Sequence, residues 1–487
     1  MRKYLSQITS IIIILLFSHI YATDPSLSVV NNRNMIIIGV ESQTHIDYGL
    51  SYPITYEFTI PDNIENLKAY KKFQSGQNWE SIEKKTEQDF FNGIEAVRFD
   101  YDQSMAFLSI GFSSISDSIF IKITDINDND INTSYHGTSE YYDNRSAAVT
   151  ITADDWADYC NDKFIQACQN FRSYNLWYSV AIISEGLSSN SWDDIQTEID
   201  LGLVEPVSHS RTHPYIPYID VESEVLGSKQ DIFDNLDLVG HNSSGENEYI
   251  YAWVAPYGNY DSSIDTMTSV GKYLISRMFN WDDNDFSEWD DTLNKFYPIG
   301  ASIEVGSSDY WGSTNINELN NTFDNVVETN GIYHLMTHPN ILEWDEDFTS
   351  EHLEHISNRK DIWYVGFGHL YLYRFLQNAY TGNNSLDINP EYFFPKDIKL
   401  IQNFPNPFNP VTNIEYELRK DSFVNIIVYD VLGKVVNNLV NKNQSSGYKS
   451  VQWDATNNQG ESVSAGVYLY NIQAGDFNQT KKMILLK

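Results

Sequence analysis

Cysteine is scarce in this sequence: of 487 residues, only Cys160 and Cys168 are cysteines. A fold held together mainly by disulfides is therefore excluded. Export would permit one bridge between them, but on one continuous helix their Cα atoms would lie about 12 Å apart, too far to bond. A bridge would require a turn or a helix break between the two positions, and the sequence leaves both outcomes open.

Basic residues are also few. Lys and Arg total 31 against 67 Asp and Glu, which gives a formal net charge of −36. Because phosphate backbones and anionic lipid surfaces are bound through positive charge, we expect neither nucleic acid nor an anionic membrane as a partner. The chain is 41% hydrophobic, which is enough apolar material for several cores.

Long apolar runs are missing except near the start. Arg2 and Lys3 precede the short apolar run 11–17, and the small residue Ala22 follows it. This order is typical of a signal peptide cleaved after Ala22, whereas a membrane anchor would need about 20 apolar residues. No later segment reaches that length, so we expect an exported mature chain without a transmembrane segment.

The rest of the sequence falls into four segments. Residues 23–145 show short alternating strands separated by turn residues, which predicts a β-sandwich. Residues 146–380 alternate strand, loop and helix, which predicts a parallel sheet covered by helices, either open or closed into a barrel. The polar residues 381–398 are typical of a linker, and residues 399–487 form a second all-β segment.

Individual elements are predicted within these segments. The accessory strands are predicted at 52–60, 95–101, 106–112 and 118–123. The buried strands of the central segment are predicted at 148–152, 177–184, 249–254, 274–279 and 332–337, with helices at 192–203, 221–236, 262–273, 317–329 and 350–358. Active sites of such folds lie at the C-terminal ends of the strands, so residues that follow a predicted strand are the candidates for function.

Two adjacent carboxylates, Asp154 and Asp155, follow the predicted strand 148–152. At a strand end they are candidates for catalysis. The alternative is a structural role, because Asp is favoured at the N-cap and residues 156–166 can form a helix.

Three histidines and one turn also follow predicted strands or loops. His209 and His213 are four residues apart, a spacing that on one helical turn places both imidazoles on the same face and suits a divalent transition metal. His338 follows the predicted strand 332–337, where a structural histidine is the alternative. Pro256 and Tyr257 form a rigid turn after the predicted strand 249–254.

These four elements, in this order, resemble the motifs of the polysaccharide deacetylases of carbohydrate esterase family 4. The resemblance extends over residues 146–380 and implies an irregular (β/α) barrel. The matching pieces are Thr-Ala-Asp-Asp at 152–155, His-Ser-Arg-Thr-His at 209–213, Pro-Tyr at 256–257 and Leu-Met-Thr-His at 335–338.

The resemblance implies a metal site formed by three of these residues, Asp155, His209 and His213. One divalent metal ion is expected there, with zinc as the first choice and cobalt, manganese or nickel as alternatives. Two neutral imidazoles and one carboxylate would leave the site positively charged overall, which activates a bound water as the nucleophile.

The resemblance also implies catalytic roles. Asp154 would be the general base that accepts the proton of the attacking water, and His338 the general acid that protonates the leaving amine. The backbone N–H of Tyr257, fixed by Pro256, would help to hold the oxyanion. The implied reaction is hydrolysis of N-acetyl or O-acetyl groups on a polysaccharide.

One of the departures from the family pattern concerns the base aspartate. The motif arginine is replaced by Val254, which cannot orient or charge the base aspartate; Arg277 or Arg211 are the candidates to replace it. This departure motivates an alternative function, a non-catalytic glycan-binding or surface-attachment protein on a degenerate deacetylase scaffold.

The C-terminal segment resembles the sorting domain of proteins exported by the type IX secretion system. The matching pieces are Asn-Phe-Pro-Asn-Pro-Phe-Asn at 403–409, Val-Tyr-Asp-Val-Leu-Gly at 428–433, Val-Ser-Ala-Gly-Val-Tyr-Leu-Tyr at 463–470 and Lys-Met-Ile-Leu-Leu at 482–486. The resemblance implies a C-terminal β-sandwich, the type IX secretion machinery as a partner, and a secreted or cell-surface location. An ordinary β-sandwich binding module is the alternative.

Overall fold

The structure is a computed structural model, and the residues it describes are 36–38, 48–62, 64–73, 78–85, 94–111, 119–129, 131, 133–238, 250–281, 284–307, 312–342, 347–379, 398–403, 405–419, 422–444 and 447–486. The predicted signal peptide at 1–22 and the predicted linker at 381–398, apart from Ile398, lie outside these residues. The chain divides into two compact units, Met1–Asn384 and Ser385–Lys487.

Nine short strands come first among the described residues of the first unit. They are β1 (Ile36–Ile38), β2 (Ile54–Thr59), β3 (Lys68–Phe73), β4 (Glu80–Ile82), β5 (Lys84–Lys85), β6 (Ala96–Asp100), β7 (Met105–Ile110), β8 (Ile119–Thr124) and β9 (Ser134–Thr138). One sheet has the order β1-β8-β3-β4 and the other β5-β6-β7-β2-β9. The four strands predicted here are present, each within two residues of its predicted ends; their arrangement as a sandwich stays a prediction.

Among its described residues, the central segment contains eleven strands. They are β10 (Ala147–Trp156), β11 (Tyr178–Ile182), β12 (Val204–Ser208), β13 (Ala252–Val254), β14 (Ile275–Trp281), β15 (Trp289–Asp290), β16 (Lys295–Phe296), β17 (Ile299–Ala301), β18 (Ile303–Glu304), β19 (Ile332–Thr337) and β20 (Ile362–Tyr364). β15 and β16 form a separate antiparallel hairpin. The other strands form one sheet in which every pair is parallel.

This sheet is a nearly closed barrel. Its order is β17-β14-β13-β12-β11-β10-β19-β18, and β20 pairs with the start of β10. Only Ser302 separates β17 from β18, so the segment 299–304 pairs with β14 at one end and with β19 at the other. All residues of β11, β12 and β19 are buried, as expected for parallel strands that are covered on both faces.

Helices connect most of the successive barrel strands. They span Asn161–Ser173, Ser189–Asp200, Ser228–Asn235, Ser262–Val270, Ile316–Glu328, Asp347–Ile356 and Phe367–Ala379. Three of them begin at a side chain that accepts hydrogen bonds from the first-turn N–H groups, namely Ser188, Asp261 and Asn315. The predicted parallel sheet covered by helices is therefore confirmed. Among the described helices, none combines the length and the apolar character that crossing a membrane requires.

Four strands of the barrel sheet, β12, β17, β18 and β20, were not among the predicted strands, and the longest of them is β12. Its sequence Val-Glu-Pro-Val-Ser contains a charged residue and a proline, which argue against a buried central strand. The structure accommodates both. Glu205 accepts hydrogen bonds from the backbone N–H groups of Gly368 and His369 at the start of the last helix, 2.9 Å each, and Pro206 pairs with Val180 of β11.

The two cysteines are free and buried. Cys160 ends the short 3-10 turn Asp158–Cys160, and Cys168 lies in the helix Asn161–Ser173 that follows directly. No turn or helix break separates them, so the geometry that a bridge would need is absent.

The described part of the second unit forms seven antiparallel strands. They are β21 (Lys399–Leu400), β22 (Thr412–Leu418), β23 (Ser422–Asp430), β24 (Val435–Gln444), β25 (Gly447–Trp453), β26 (Gly466–Ala474) and β27 (Phe477–Leu485). They form the sheets β21-β22-β25 and β24-β23-β26-β27, which share one hydrophobic core. The all-β character predicted for this segment is confirmed, and its sandwich arrangement stays a prediction.

Candidate metal centre

The two adjacent aspartates lie within strand β10, near its C-terminal end. In a regular strand their side chains would point to opposite faces. Here the pairing of β10 with β11 shifts register between Ala153 and Trp156, and Asp155 adopts a left-handed φ of 76°. This bulge allows both carboxylates to face the same opening of the barrel. The alternative helix-cap role is wrong, because the helix begins at Asn161 after the cap residue Cys160.

The two histidines follow β12 in a loop, not on a helical turn as the spacing suggested. Ser210 and His213 both have left-handed φ values, 66° and 56°, which bend the loop so that the two imidazole rings lie 4.8 Å apart. Glu224 holds the bend: its Oε2 accepts the backbone N–H groups of Arg211 and Thr212, 2.9 Å each. The pair is thus brought together by loop hydrogen bonds that the spacing alone does not indicate.

Asp155 lies between the two imidazoles. Its Oδ1 is 3.2 Å from His209 Nε2 and 3.1 Å from His213 Nε2. The ligand atoms of the three residues all lie within 4.8 Å of one another. Burial raises the pKa of Asp155, but the neighbouring imidazoles of His209 and His213 outweigh it and hold that pKa well below its usual range. The carboxylate is therefore ionised at neutral pH.

The tautomer of His209 tests whether these residues fit a cation. Its Nδ1 lies 2.8 Å from the carbonyl oxygen of Val254, and because a carbonyl only accepts, Nδ1 carries the proton. In the neutral ring Nε2 then presents a lone pair to the carboxylate of Asp155, so two acceptors face each other. A cation between them, either a proton on Nε2 or a metal ion, satisfies both. One carboxylate and two imidazoles, one of them oriented by a backbone carbonyl, form a donor set that suits zinc.

Asp154 belongs to a second, more deeply buried group. Its Oδ2 is paired with the guanidinium of Arg277 on β14, whose side chain is 1% exposed. Its other oxygen, Oδ1, is buried and has no hydrogen-bond partner among the described residues. Burial raises the pKa of Asp154, while the positive charges of Arg277 and His338 lower it, and the net result is a pKa below the usual range. Asp154 is thus an ionised carboxylate with one free oxygen.

His338 lies directly after β19 and connects Asp154 to a further carboxylate. Its Nε2 is 3.7 Å from Asp154 Oδ2, and its Nδ1 donates to Oε1 of Glu304, 2.6 Å away. Glu304, on the two-residue strand β18, is fully buried. Burial lowers the pKa of His338, but the hydrogen bond to Glu304 and the charge of Asp154 outweigh it, so the pKa is raised. Glu304 and Asp154 therefore favour the protonated form of the imidazole that faces Asp154.

The predicted turn at Pro256 and Tyr257 forms the 3-10 turn Pro256–Gly258 after β13. Tyr257 has a left-handed φ of 54°, and its ring lies 4.4 Å from the ring of His213. Gly258 is required here, because a Cβ at this position would collide with the Cβ of Phe279. The turn is held tightly against β14 beside the two histidines.

The chain is similar to solved structures of polysaccharide deacetylases over about half of its length. A Mycobacterium smegmatis protein described as a polysaccharide deacetylase is 11% identical, with a TM-score of 0.37, and the match covers 47% of this chain and 91% of that one. A CE4 family pseudoenzyme from Bacillus anthracis is 11% identical, with a TM-score of 0.25, and covers 46% of this chain and 65% of that one. None of the curated proteins matches the sequence.

Two further comparisons match other proteins. A family model of the FlgD Ig-like domain matches residues 410–476. Latent PorU from Porphyromonas gingivalis is 22% identical with a TM-score of 0.17, and the match covers 19% of this chain and 10% of that one. At these identities and TM-scores, the structural similarities carry no argument about activity.

The sequence-predicted residues therefore fall into two adjoining groups. Asp155, His209 and His213 form the first group, with Tyr257 beside it. Asp154 and His338 form the second group, together with Arg277 from β14 and Glu304 from β18. Of the two arginines considered for Asp154, Arg277 contacts it, whereas Arg211 is paired with Asp231, 2.8 Å away.

Glu304 was not identified from the sequence. It occurs in a short segment without helical or strand periodicity, and the chain carries 67 acidic residues, so nothing marks this one as special. Only the pairing of β18 with β19 brings it next to His338.

Proposed function

We propose that this protein is a metal-dependent hydrolase that removes acetyl groups from a polysaccharide. The observation that carries the proposal is the convergence of His209 Nε2 and His213 Nε2 on the carboxylate of Asp155, next to the buried pair of Asp154 and His338. The first arrangement is a donor set for a divalent cation, and the second offers a base and an acid within one site.

Asp155, His209 and His213 would hold the metal ion, zinc being our first choice from the donor types. A divalent ion in this position supplies Lewis acidity, which lowers the pKa of water and polarises an acyl carbonyl. The carbonyl of Val254 fixes His209 in the tautomer that such a ligand needs. Asn340, whose Nδ2 donates to Asp155 Oδ2 at 3.4 Å, orients the carboxylate.

Asp154 is our candidate for the general base. Arg277 keeps it ionised and occupies Oδ2, which leaves the unpartnered Oδ1 to accept a proton from the attacking water. His338 is our candidate for the general acid, because Glu304 holds its Nδ1 and stabilises the protonated ring. Its Nε2–H is then the proton delivered to the leaving nitrogen or oxygen. The backbone N–H of Tyr257, in the turn that Pro256 begins, is our candidate for the oxyanion donor.

The two ends of the chain support a proposed route to the cell surface. We propose that residues 1–22 direct export and that the C-terminal unit, from residue 399, is a sorting domain read by the type IX secretion machinery. The sequence pattern at 1–22 and the four motifs in the tail support this proposal. Fractionation of cells that express the full chain, beside a variant truncated after Tyr380, tests it: the full chain is expected at the surface or in the medium, and equal distribution of both chains would contradict the proposal.

Acetate release tests the proposed reaction. Purified full chain supplied with zinc is incubated with acetylated chitooligosaccharides and acetylated xylan, beside the variants Asp154→Asn and His338→Gln. We expect acetate from the wild type and a loss of about 10²-fold or more in each variant. Asp193→Asn, exposed on the helix Ser189–Asp200, is the matched control and should retain full activity. A folded, zinc-loaded wild type that releases no acetate would contradict the proposal.

A further inference from the structure

Exposed tyrosine rings lie beside the candidate metal centre. The rings of Tyr215 and Tyr257 are stacked, with centroids 3.7 Å apart and planes 7° from parallel. Tyr257 in turn contacts His213, one of the three proposed ligands. Despite this stacking, Tyr215 remains 67% exposed and Tyr257 45% exposed. One ring face of Tyr215 is therefore covered by Tyr257, while the rest of the ring is open to solvent.

A third exposed tyrosine follows a different one of the strands that hold the triad formed by Asp155, His209 and His213. Tyr159 is 77% exposed and lies in the 3-10 turn Asp158–Cys160, directly after β10. In the sheet, β11 separates β10 from β12 and β13, which carry His213, Tyr215 and Tyr257 in the loops at their ends. The three tyrosines therefore lie at the C-terminal ends of the strands around the triad, Tyr159 after β10 and the stacked pair after β12 and β13.

The stacked pair is rigid. Tyr257 is part of the turn that Gly258 holds against Phe279, and Tyr215 follows the loop that Glu224 fixes through Arg211 and Thr212. Rigid, solvent-exposed aromatic faces lose little conformational entropy when a flat apolar surface covers them. Apolar surface left open beside a site of this kind is typical of a ligand-binding region.

The aromatic rings and the negative charge around the candidate metal centre indicate which class of ligand it binds. The apolar faces of pyranose rings stack on aromatic side chains, and the hydroxyl groups of the three tyrosines can exchange hydrogen bonds with sugar hydroxyls. Asp154, Asp155 and the net charge of −36 oppose a polyanion. We propose that Tyr215 with Tyr257 on one side, and Tyr159 on the other, form two ring-binding subsites that hold an uncharged glycan chain across the metal centre. The proposal rests on the proposed function for the identity of the bound chain.

Calorimetric titration of the chelator-treated full chain tests this arrangement without turnover. The probes are the hexasaccharide of N-acetylglucosamine and its monosaccharide, titrated into wild type, Tyr215→Ala and Tyr159→Ala. Each variant is expected to bind the hexasaccharide about tenfold more weakly than the wild type does. The wild type is expected to bind the monosaccharide much more weakly than the hexasaccharide, because a single ring cannot occupy both subsites.

Tyr297→Ala is the matched control. Tyr297 is 49% exposed, but it follows Phe296, which pairs with Leu274 just before β14 and therefore lies at the opposite end of the barrel. Wild-type affinity of Tyr297→Ala for the hexasaccharide supports the assignment of the ring-binding subsites to the tyrosines beside the metal centre. Equal loss of affinity in Tyr297→Ala would overturn it, as would unchanged hexasaccharide affinity in both subsite variants. A change in sedimentation coefficient on Tyr215→Ala with unchanged glycan affinity would also overturn it, because the ring would then contact a second copy.

Hexasaccharide affinity and acetate release, measured together, separate the subsite proposal from the deacetylase proposal. Weaker hexasaccharide binding in the two variants, together with no acetate release by the untreated wild type, supports the subsites and rejects the reaction. Acetate release by the wild type with unchanged affinity in both variants rejects the subsites alone.

Discussion

The guanidinium of Arg277 on β14 contacts the carboxylate of Asp154 on β10 inside the barrel, with 1% and 7% of their side chains exposed. An arginine is expected at residue 254 from the resemblance to the deacetylase motifs, and Val254 occupies that position. Val254 of β13 and Arg277 of β14 are paired in the sheet. The positive charge that the motif arginine would supply to Asp154 therefore comes from Arg277, on the strand next to β13.

Loss of this guanidinium should affect both stability and turnover. Arg277→Met leaves a buried carboxylate without its partner, so we expect a decrease of about 3–5 kcal/mol in the free energy of unfolding. We also expect a loss of acetate release of about 10²-fold or more, because Asp154 would no longer be held ionised and oriented. Arg277→Lys keeps the positive charge, so this variant should retain more unfolding free energy and more acetate release than Arg277→Met. Denaturant unfolding and acetate assays on the two variants check this; equal activity in Arg277→Met and the wild type would refute the role.

The pH dependence of the reaction should report on Glu304. If His338 is the general acid that we propose, the rate falls as pH rises through the pKa of His338. Burial lowers that pKa, while the hydrogen bond to Glu304 and the negative charges of Asp154 and Glu304 together raise it by more. Glu304→Gln removes the negative charge, and the falling limb of the rate profile should therefore move to lower pH. Glu354→Gln, exposed on the helix Asp347–Ile356, is the control and should leave the profile in place. An unshifted limb in Glu304→Gln would show that His338 does not act with Glu304.

Metal content should follow the triad. Elemental analysis of the purified full chain is expected to show about one divalent ion per chain in the wild type, and a large loss of that ion in His209→Ala and in Asp155→Ala. His355→Ala replaces an exposed histidine far along the sequence on the helix Asp347–Ile356 and should retain the ion. Retention of metal in both triad variants would place the ion elsewhere.

A buried histidine away from the site should make stability depend on pH. Burial lowers the pKa of His352 to about 3, and in the neutral form its Nδ1 donates to Asn320 while its Nε2 accepts from Tyr333. Below about pH 6.5 the unfolded chain gains a proton at this position that the folded chain does not, so unfolding becomes easier as pH falls.

Between about pH 6.5 and 5, His352 should therefore contribute a loss of up to about 1.4 kcal/mol of unfolding free energy per pH unit. His352→Gln should show a shallower pH dependence than the wild type in denaturant unfolding, and Asn321→Ala, exposed on the neighbouring helix, should keep the wild-type slope. Identical slopes in wild type and His352→Gln would mean that the histidine is protonated in the folded protein as well.

Much of the barrel could be predicted from the sequence because its strands are near-continuous apolar runs between loops. β10, β11 and β19 were predicted for this reason. β12 was not, because burial of Glu205 depends on the N–H groups of the last helix, which lies far along the chain. Short strands such as β18 have too few residues for any periodicity.

The candidate site could be predicted in part. Asp155, His209 and His213 are marked by residue type and spacing, and they are brought together. The reason given for the histidine pair was wrong, since a loop with left-handed residues, and not a helical turn, joins the two rings. Arg277 could be named only as one of two possibilities, because the direction of a side chain at a strand end depends on bulges that the sequence does not reveal.

The most direct test of the account is acetate release by the full chain before chelation, after chelation and after zinc is restored. We predict release of acetate from an acetylated oligosaccharide, its loss when the ion is removed, and its recovery with one equivalent of zinc per chain. Acetate release that is unaffected by chelation, or its absence in a zinc-loaded chain, would contradict the central claim.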